Sequence, residues 1–533
     1  MKSKRRVLAV VLGGGVIVGV AGLLGYSAPE QGSAQEVPVT DGVPQGVMVQ
    51  LDPSVLRTPE EAAATEALQP DLNPSRIEIQ FRPTTDPAVY AAQKAASAAA
   101  AEAPGAPPEP SVPPAIVTSF TGLTRSVSGG LFPPDTDGAI SRTHYCQIVN
   151  SFLRCYNRTT LAIVRSQSLA AFFGYTAQTL FDPRIVWDNV YQRWIVTAEA
   201  VAESATVQRQ FVATSVGSSA TGAFRILNIN VRALGTVGGA FWDYPMAGFD
   251  EDSIMLSANL FNPGYIGSRL LFLNKARLYL GIGGAIGCIF SGGVFNLGTI
   301  GVPIVLDLNN ETFTAQTPNG SGNAILTGFR STDRICPVVS RLRTFAVGAY
   351  AVPANAAQLG SARTIDTLDN RPNSVVTQVG TNTWFVHTVG PGLADSRWRR
   401  FGIGGTTAAQ LVQLATGIVP TLGATSAYNP SIAANAANTI FLSWTESSAG
   451  LRPAMRVGRK TLAAAAVEGT TAIVSAVPNN DDFQAARNEI RWGDYSSTRV
   501  DPLDASRAWS VNEFASQQGA ARAWASRIVR FGP

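Results

Sequence analysis

The chain has 533 residues, a formal net charge of +4 and only 15% charged residues. Four of its basic residues, Lys2, Lys4, Arg5 and Arg6, lie at the extreme N-terminus, and without residues 1–34 the net charge falls to about +1. That balance excludes an electrostatic nucleic-acid binder, and 50 glycines with 32 prolines suit short strands and tight turns better than a helical protein.

Residues 1–34 read as a signal peptide. A basic start precedes an uncharged apolar run over residues 7–24, and Gly32-Ser33-Ala34 offers small residues for cleavage before Gln35. The apolar run is long for a signal core, so an uncleaved membrane anchor is the alternative. The expected location is secreted, periplasmic or otherwise extracytoplasmic, with membrane contact only through this segment if it is retained. Residues 35–115 read as an Ala/Pro-rich spacer, mostly disordered, with small ordered pieces. Within it, residues 91–103 predict a helix, residues 77–81 alternate like an isolated strand, and residues 104–114 are Pro-rich and extended.

The texture changes near Val117, and residues 116–533 read as one β domain. Runs at 145–153, 194–198, 253–257, 269–273, 344–350, 384–389, 439–444 and 508–511 are rich in aromatic and β-branched residues. Gly, Asn, Asp and Pro bound them. The uncharged stretch 278–306 is long enough for a membrane span. Its eight glycines and Pro303 predict buried strands and a loop instead.

The four cysteines are Cys146, Cys155, Cys288 and Cys336. An even count in an exported chain predicts disulfides, with three pairings open. Cys146 and Cys155 flank a hairpin-like stretch and could bridge adjacent strands, in which case Cys288 and Cys336 close a second loop. No CxxC spacing supports zinc. His144 and His387 are too few for a three-histidine metal site, and both lie in strand-like runs. No Gly-x-Ser-x-Gly elbow or phosphate-binding glycine loop occurs.

A loose repeat organises the domain. Asp182-Pro183 leads to Asp188 and Glu199, Asp243-Tyr244 to Asp250 and Asn259, Asn429-Pro430 to Asn435 and Glu446, and Asp494-Tyr495 to Asp501 and Asn512. Pro133-Pro134-Asp135 is a degenerate first copy. A short strand entered and left through Asp/Asn turns, recurring at intervals of tens of residues, predicts a β-propeller of six or seven blades.

If that short strand lines the propeller channel, Asp135, Asp182, Asp243, Asn429 and Asp494 converge at one mouth. Asp182, Asp243 and Asp494 are then the candidate catalytic carboxylates, an acid and base pair for glycoside hydrolysis. The same three are the candidate metal ligands, with Ca²⁺ the ion that such oxygens suit. Asp135, Arg184, Tyr244, Trp492 and Tyr495 are candidate ligand-binding residues, and Trp187 and Trp242 could also stack on sugar rings. The competing reading makes the aspartates turn formers and the aromatics packing between blades. The expected function is a ligand- or surface-binding protein, with carbohydrate or a cell-surface partner as ligand and a carbohydrate-active enzyme as the alternative.

Residues Pro133 to Ala139, His144-Tyr145, Val149 to Ser151, Phe181 to Asp188, Arg193-Trp194, Asp243-Tyr244-Pro245, Trp492 to Ser496 and Val500 to Pro502 resemble a family of uncharacterised secreted bacterial propeller-like proteins. The resemblance covers roughly residues 117–515. It implies a secreted β-propeller, sialidase-like in general shape. The chain has no convincing Ser-x-Asp-x-Gly-x-x-Trp box, the mark of sialidases proper.

Overall fold

The computed structural model describes residues 42–68, 79–100, 113–309, 311–331, 336–479 and 489–533. The leader lies outside them, as do the residues 77 and 78 of the expected isolated strand. Residues 79–81 are not a strand.

Among the described residues, seven antiparallel meanders follow one another. The first runs Asp137–Ile140, His144–Val149, Phe152–Asn157 and Ile163–Ser168. The second runs Leu180–Asp188, Arg193–Ala200, Arg209–Ser215 and Phe224–Asn230. The third runs Phe241–Phe249, Ser253–Phe261, Tyr265–Asn274 and Ile286–Ser291. In the fourth, the short strand Pro303–Val305 precedes Glu311–Gln316, Asn323–Arg330 and Val338–Ala346. The fifth runs Val376–Val379, Asn382–Val389, Asp395–Gly402 and Val412–Ile418. The sixth runs Ser426–Ala434, Ile440–Ser448, Leu451–Lys460 and Glu468–Val474. The seventh runs Ser497–Asp501, Asp504–Gln518 and Ala521–Gly532, and Ala115–Thr124 supplies its fourth strand.

The first strand of each meander lies beside the first strand of the next, and the seventh returns to the first. The ring is therefore closed, and the fold is propeller-like. Pro303–Val305 pairs in parallel with the first strands on both sides of it. Each neighbouring pair of meanders shares an apolar cluster. Ile140, Tyr145 and Tyr156 meet Trp509, Val511 and Ile528 where the ring closes, as Phe441, Met455 and Val457 meet Ala508, Val529 and Phe531 one step earlier. A sheet packed on both faces loses the alternating pattern. Leu180–Asp188 and Ser253–Phe261 are buried throughout, whereas the outer strand Val412–Ile418 alternates exposed and half-buried residues.

Some elements differ from the sequence reading. The run 145–153 is two strands, because the chain turns at Asn150-Ser151 with Ser151 at φ 69°. The glycine-rich stretch 278–306 contains strands Ile286–Ser291 and Pro303–Val305, and no described helix is long and apolar enough to cross a membrane. Parts of the expected spacer pack on the ring. Gln45–Gln50 extends the third meander, Val55–Arg57 extends the second, and helices span Pro59–Leu68 and Pro87–Ala99. Asp86 caps the second helix by accepting from the N–H groups of Ala88 and Val89.

Disulfides join Cys146 to Cys155 and Cys288 to Cys336. The first pair sits directly opposite in adjacent strands. Two disulfides point to an extracytoplasmic protein.

Candidate functional site

The repeat has two kinds of polar position, and they behave differently. At the outer end of the first strand in five meanders, a side chain caps the hairpin. Asp188 Oδ1 accepts from the N–H groups of Val190 and Tyr191, both at 3.0 Å. Asp250 accepts from Asp252 and Ser253, Asn435 from Thr439, Asp501 from Leu503, and Ser141 from Thr143 and His144. Three of these residues also tie their meander to the next. Asp188 Oδ2 holds Lys275 Nζ at 2.8 Å, Asp250 accepts from Thr312 Oγ1 at 2.6 Å, and Asp501 takes both oxygens to Arg158 at 2.8 Å. These aspartates are turn formers and staples.

Six residues before each cap, the strand bulges. Asp135, Asp182, Tyr244 and Asn429 have φ of 49°, 46°, 59° and 48°, and pairing slips by one residue beside the last three. The structure thus aligns Tyr244, not Asp243, with Asp182. By the same spacing from Asp501, Tyr495 rather than Asp494 takes the equivalent place. Asp and Asn tolerate this left-handed backbone better than other L residues.

The bulges meet in a buried polar network around the axis. Asp135 accepts from the Asp494 N–H at 2.7 Å and from Asn150 Nδ2 at 2.5 Å. Asn150 Oδ1 accepts from the Asp182 N–H at 2.8 Å. The Tyr495 hydroxyl donates to Asp182 Oδ2 at 2.7 Å, and the Tyr244 hydroxyl donates to the carbonyls of Pro372 and Asp494. The rings of Tyr244 and Tyr495 lie 4.6 Å apart. The Arg184 guanidinium sits 3.9 Å over the Tyr495 ring and 3.8 Å from Asp137 Oδ2.

Three carboxylates converge beside this network. Asp182, Glu199 and Asp243 each offer an oxygen within 4.8 Å of the other two. All are buried, with Asp182 at 2%, Glu199 at 0% and Asp243 at 6% exposure. Burial pushes Glu199 well above the ordinary carboxylate range, and the charges of Asp243 and Asp182 push it further. Asp182 is raised in the same way, by burial first and then by Asp135, Asp243 and Asp494. Asp494 does not join the trio, because Arg491 holds its carboxylate. Burial still pushes Asp494 up to about 7, against the pull of Arg491.

The N-terminal segment covers this centre. Arg82 Nη1 meets Asp243 Oδ2 at 3.1 Å. Phe81 lies against two guanidinium groups, Arg371 at 4.5 Å and Arg491 at 5.2 Å. The Arg82 carbonyl accepts from Arg371 Nη2 at 2.8 Å. Arg371 in turn grips Asp369 at 2.7 and 2.8 Å. Lys94 donates to Thr367 at 2.8 Å and lies 3.5 Å from Asp366, and Ser97 Oγ donates to the Val352 carbonyl. Sequence reasoning noted Glu199 as a repeat position. It missed Arg82, Asp366, Asp369 and Arg371, which carry no repeat signal.

The aromatic candidates are packed side chains. Trp492 is 1% exposed and donates from Nε1 to Thr445 Oγ1 at 3.0 Å. Trp242 donates to Gln210 Oε1 at 3.0 Å, and Trp187 packs 5.0 Å from Trp194. His387 is buried, with Nδ1 3.2 Å from the Asn370 carbonyl, and burial lowers its pKa.

Open space lies elsewhere. A cleft of ≈ 1210 Å³ runs between the first and seventh meanders and under helix Pro59–Leu68. Glu66, Arg125, Ser126, Ser128, Ser151, Ser168, Thr176, Gln178 and Gln518 supply its polar lining. Glu66 accepts from Ser168 Oγ at 2.5 Å, and Gln518 Oε1 accepts from the Ser126 N–H at 3.0 Å.

No family model matches this chain, and no curated protein does. Solved structures with a distant similarity include propeller proteins. A Penicillium chrysogenum α-L-arabinanase complexed with arabinobiose is 10% identical with a TM-score of 0.36, covering 77% of this chain and 98% of that one. A protein of unknown function from Dyadobacter fermentans DSM 18053 is 10% identical with a TM-score of 0.34, covering 78% and 98%. A Trypanosoma rangeli sialidase is 11% identical with a TM-score of 0.33, covering 70% and 56%. Similarity of this order transfers no activity.

Proposed function

We propose that the chain is an exported seven-bladed propeller that binds a hydroxyl-rich ligand, a polysaccharide, in the cleft between its first and seventh blades. The observation that carries this reading is the contrast between two sites. The axial carboxylates are 0–6% exposed and lie under Arg82 and Phe81, so a sugar chain has no path to them. The cleft is open, and its mixed lining sets hydroxyl and amide groups, the donors and acceptors that sugars use, beside apolar side chains such as Leu131, Phe152 and Leu169. The test is binding of the exported chain to a panel of immobilised glycans. Ala177→Trp, which fills the cleft from an exposed position, abolishes binding on this reading. Retention of full binding by that variant contradicts it.

One observation favours hydrolysis as a second reading: three carboxylates converge and burial raises Glu199, the setting that a general acid needs. It requires the cover at Arg82 to open. A glycan-hydrolysis screen of wild type and Arg82→Ala decides it, and absence of product from either protein on every substrate removes it.

A further inference from the structure

We propose that Asp182, Glu199 and Asp243 form a calcium site on the axis of the ring, beneath Arg82. Two independent observations lead there. The first is geometric: three oxygens lie within 4.8 Å of one another, and Ca²⁺ with bonds of about 2.3–2.6 Å spans opposite ligands about 5 Å apart. The second is an unmet need. Glu199 is fully buried, and neither of its oxygens has a hydrogen-bond partner; Asp182 Oδ1 also has none. The Tyr244 N–H lies near enough to favour the charged form of Glu199 but outside hydrogen-bond geometry. A buried carboxylate left this way costs several kcal/mol unless a cation or proton compensates it.

Comparison within the chain sharpens the point. Asn259 and Asn512 occupy the corresponding repeat positions, and both are satisfied. Asn259 donates to Thr299 Oγ1 at 2.9 Å and accepts from Ser268 Oγ at 2.8 Å. Asn512 donates to the Asn429 carbonyl at 3.2 Å. The sixth meander also places a carboxylate there, but Glu446 accepts from the Leu422 N–H and Thr425 Oγ1 and lies 3.3 Å from Arg456 Nη1; Glu199 instead faces two more carboxylates. Arg82 pairs with Asp243, while Asp135 and Asp494 add to the negative charge acting on Asp182, so Arg82 alone does not neutralise the cluster. The donor set is all oxygen, which selects Ca²⁺ over zinc or copper. The arrangement differs from the trio expected from sequence, because Glu199 replaces Asp494. The site is structural and stands apart from the cleft, so either proposal survives failure of the other.

The test uses the exported chain stripped with EGTA. Added CaCl₂ at a hundredfold excess over Kd raises the melting temperature by about 2–3 °C. Tb³⁺ alone gives sensitised emission excited through Tyr495, whose hydroxyl contacts Asp182. Glu199→Gln, isosteric and uncharged, loses both responses. Identical melting in Ca²⁺ and EGTA with no Tb³⁺ emission from wild type overturns the proposal, as does an unchanged response in Glu199→Gln. If that variant does not fold, the wild-type comparison decides alone.

Discussion

Asp501 shows how much one side chain carries in this ring. It accepts from Leu503 N–H, Trp509 Nε1 at 3.1 Å, Arg530 Nε at 3.0 Å and Arg158 through both oxygens. The Arg158 side chain is 9% exposed, so losing the carboxylate strands a buried charge. Asp501→Asn is expected to cost about 3 kcal/mol, read as a lower urea midpoint. Asp369 gives a pH prediction. Burial alone would raise its pKa, but Arg371 outweighs burial and holds it at about 2. A depressed folded pKa stabilises the protein above the unfolded value near 3.9 and loses that contribution as pH falls toward 2. The contribution is about 2–3 kcal/mol, and Asp369→Asn is expected to flatten the urea midpoint over this window. Residue by residue, the hairpin caps were legible, because Asp and Asn make turns locally. The bulge register was not. Asp243 and Tyr244 stand side by side, and only the backbone at Tyr244 shows which one matches Asp182.

The elements were legible wherever a turn residue marked a strand end. The second, third, sixth and seventh meanders each carry the repeat. The fourth and fifth lack it, and there the first strands Pro303–Val305 and Val376–Val379 are short and pair in parallel with each other. Such pairing is a long-range property that no local pattern encodes. The N-terminal cover was hidden for the same reason: Arg82 and Asp243 are 161 residues apart in sequence. Closure of the ring is the element most exposed to a single change. Ala521–Gly532 is a central strand, and Val529 pairs with Ser119 on one side and Ser510 on the other. Proline removes a ladder donor and is excluded from such positions. Val529→Pro is expected to abolish cooperative unfolding by circular dichroism, whereas the exposed outer-strand change Leu414→Thr leaves the transition within about 0.5 kcal/mol.

At the scale of the whole molecule, the ring has a buried axis and an open side. Its axis gathers charge and seals it. Seven apolar seams, the bulged first strands and the segment at residues 79–100 all help to bury that centre. Its side, where the strand 115–124 closes the seventh meander, leaves a cleft of mixed polar and apolar lining beside the first. An account that puts recognition in the cleft and cohesion at the axis makes opposite predictions for variants at the two places. The most direct measurement is glycan binding by three proteins in parallel: wild type, the axial variant Glu199→Gln and the cleft variant Ala177→Trp. The account predicts wild-type affinity for Glu199→Gln and lost binding for Ala177→Trp. Lost binding in Glu199→Gln with a cleft variant that still binds would contradict it.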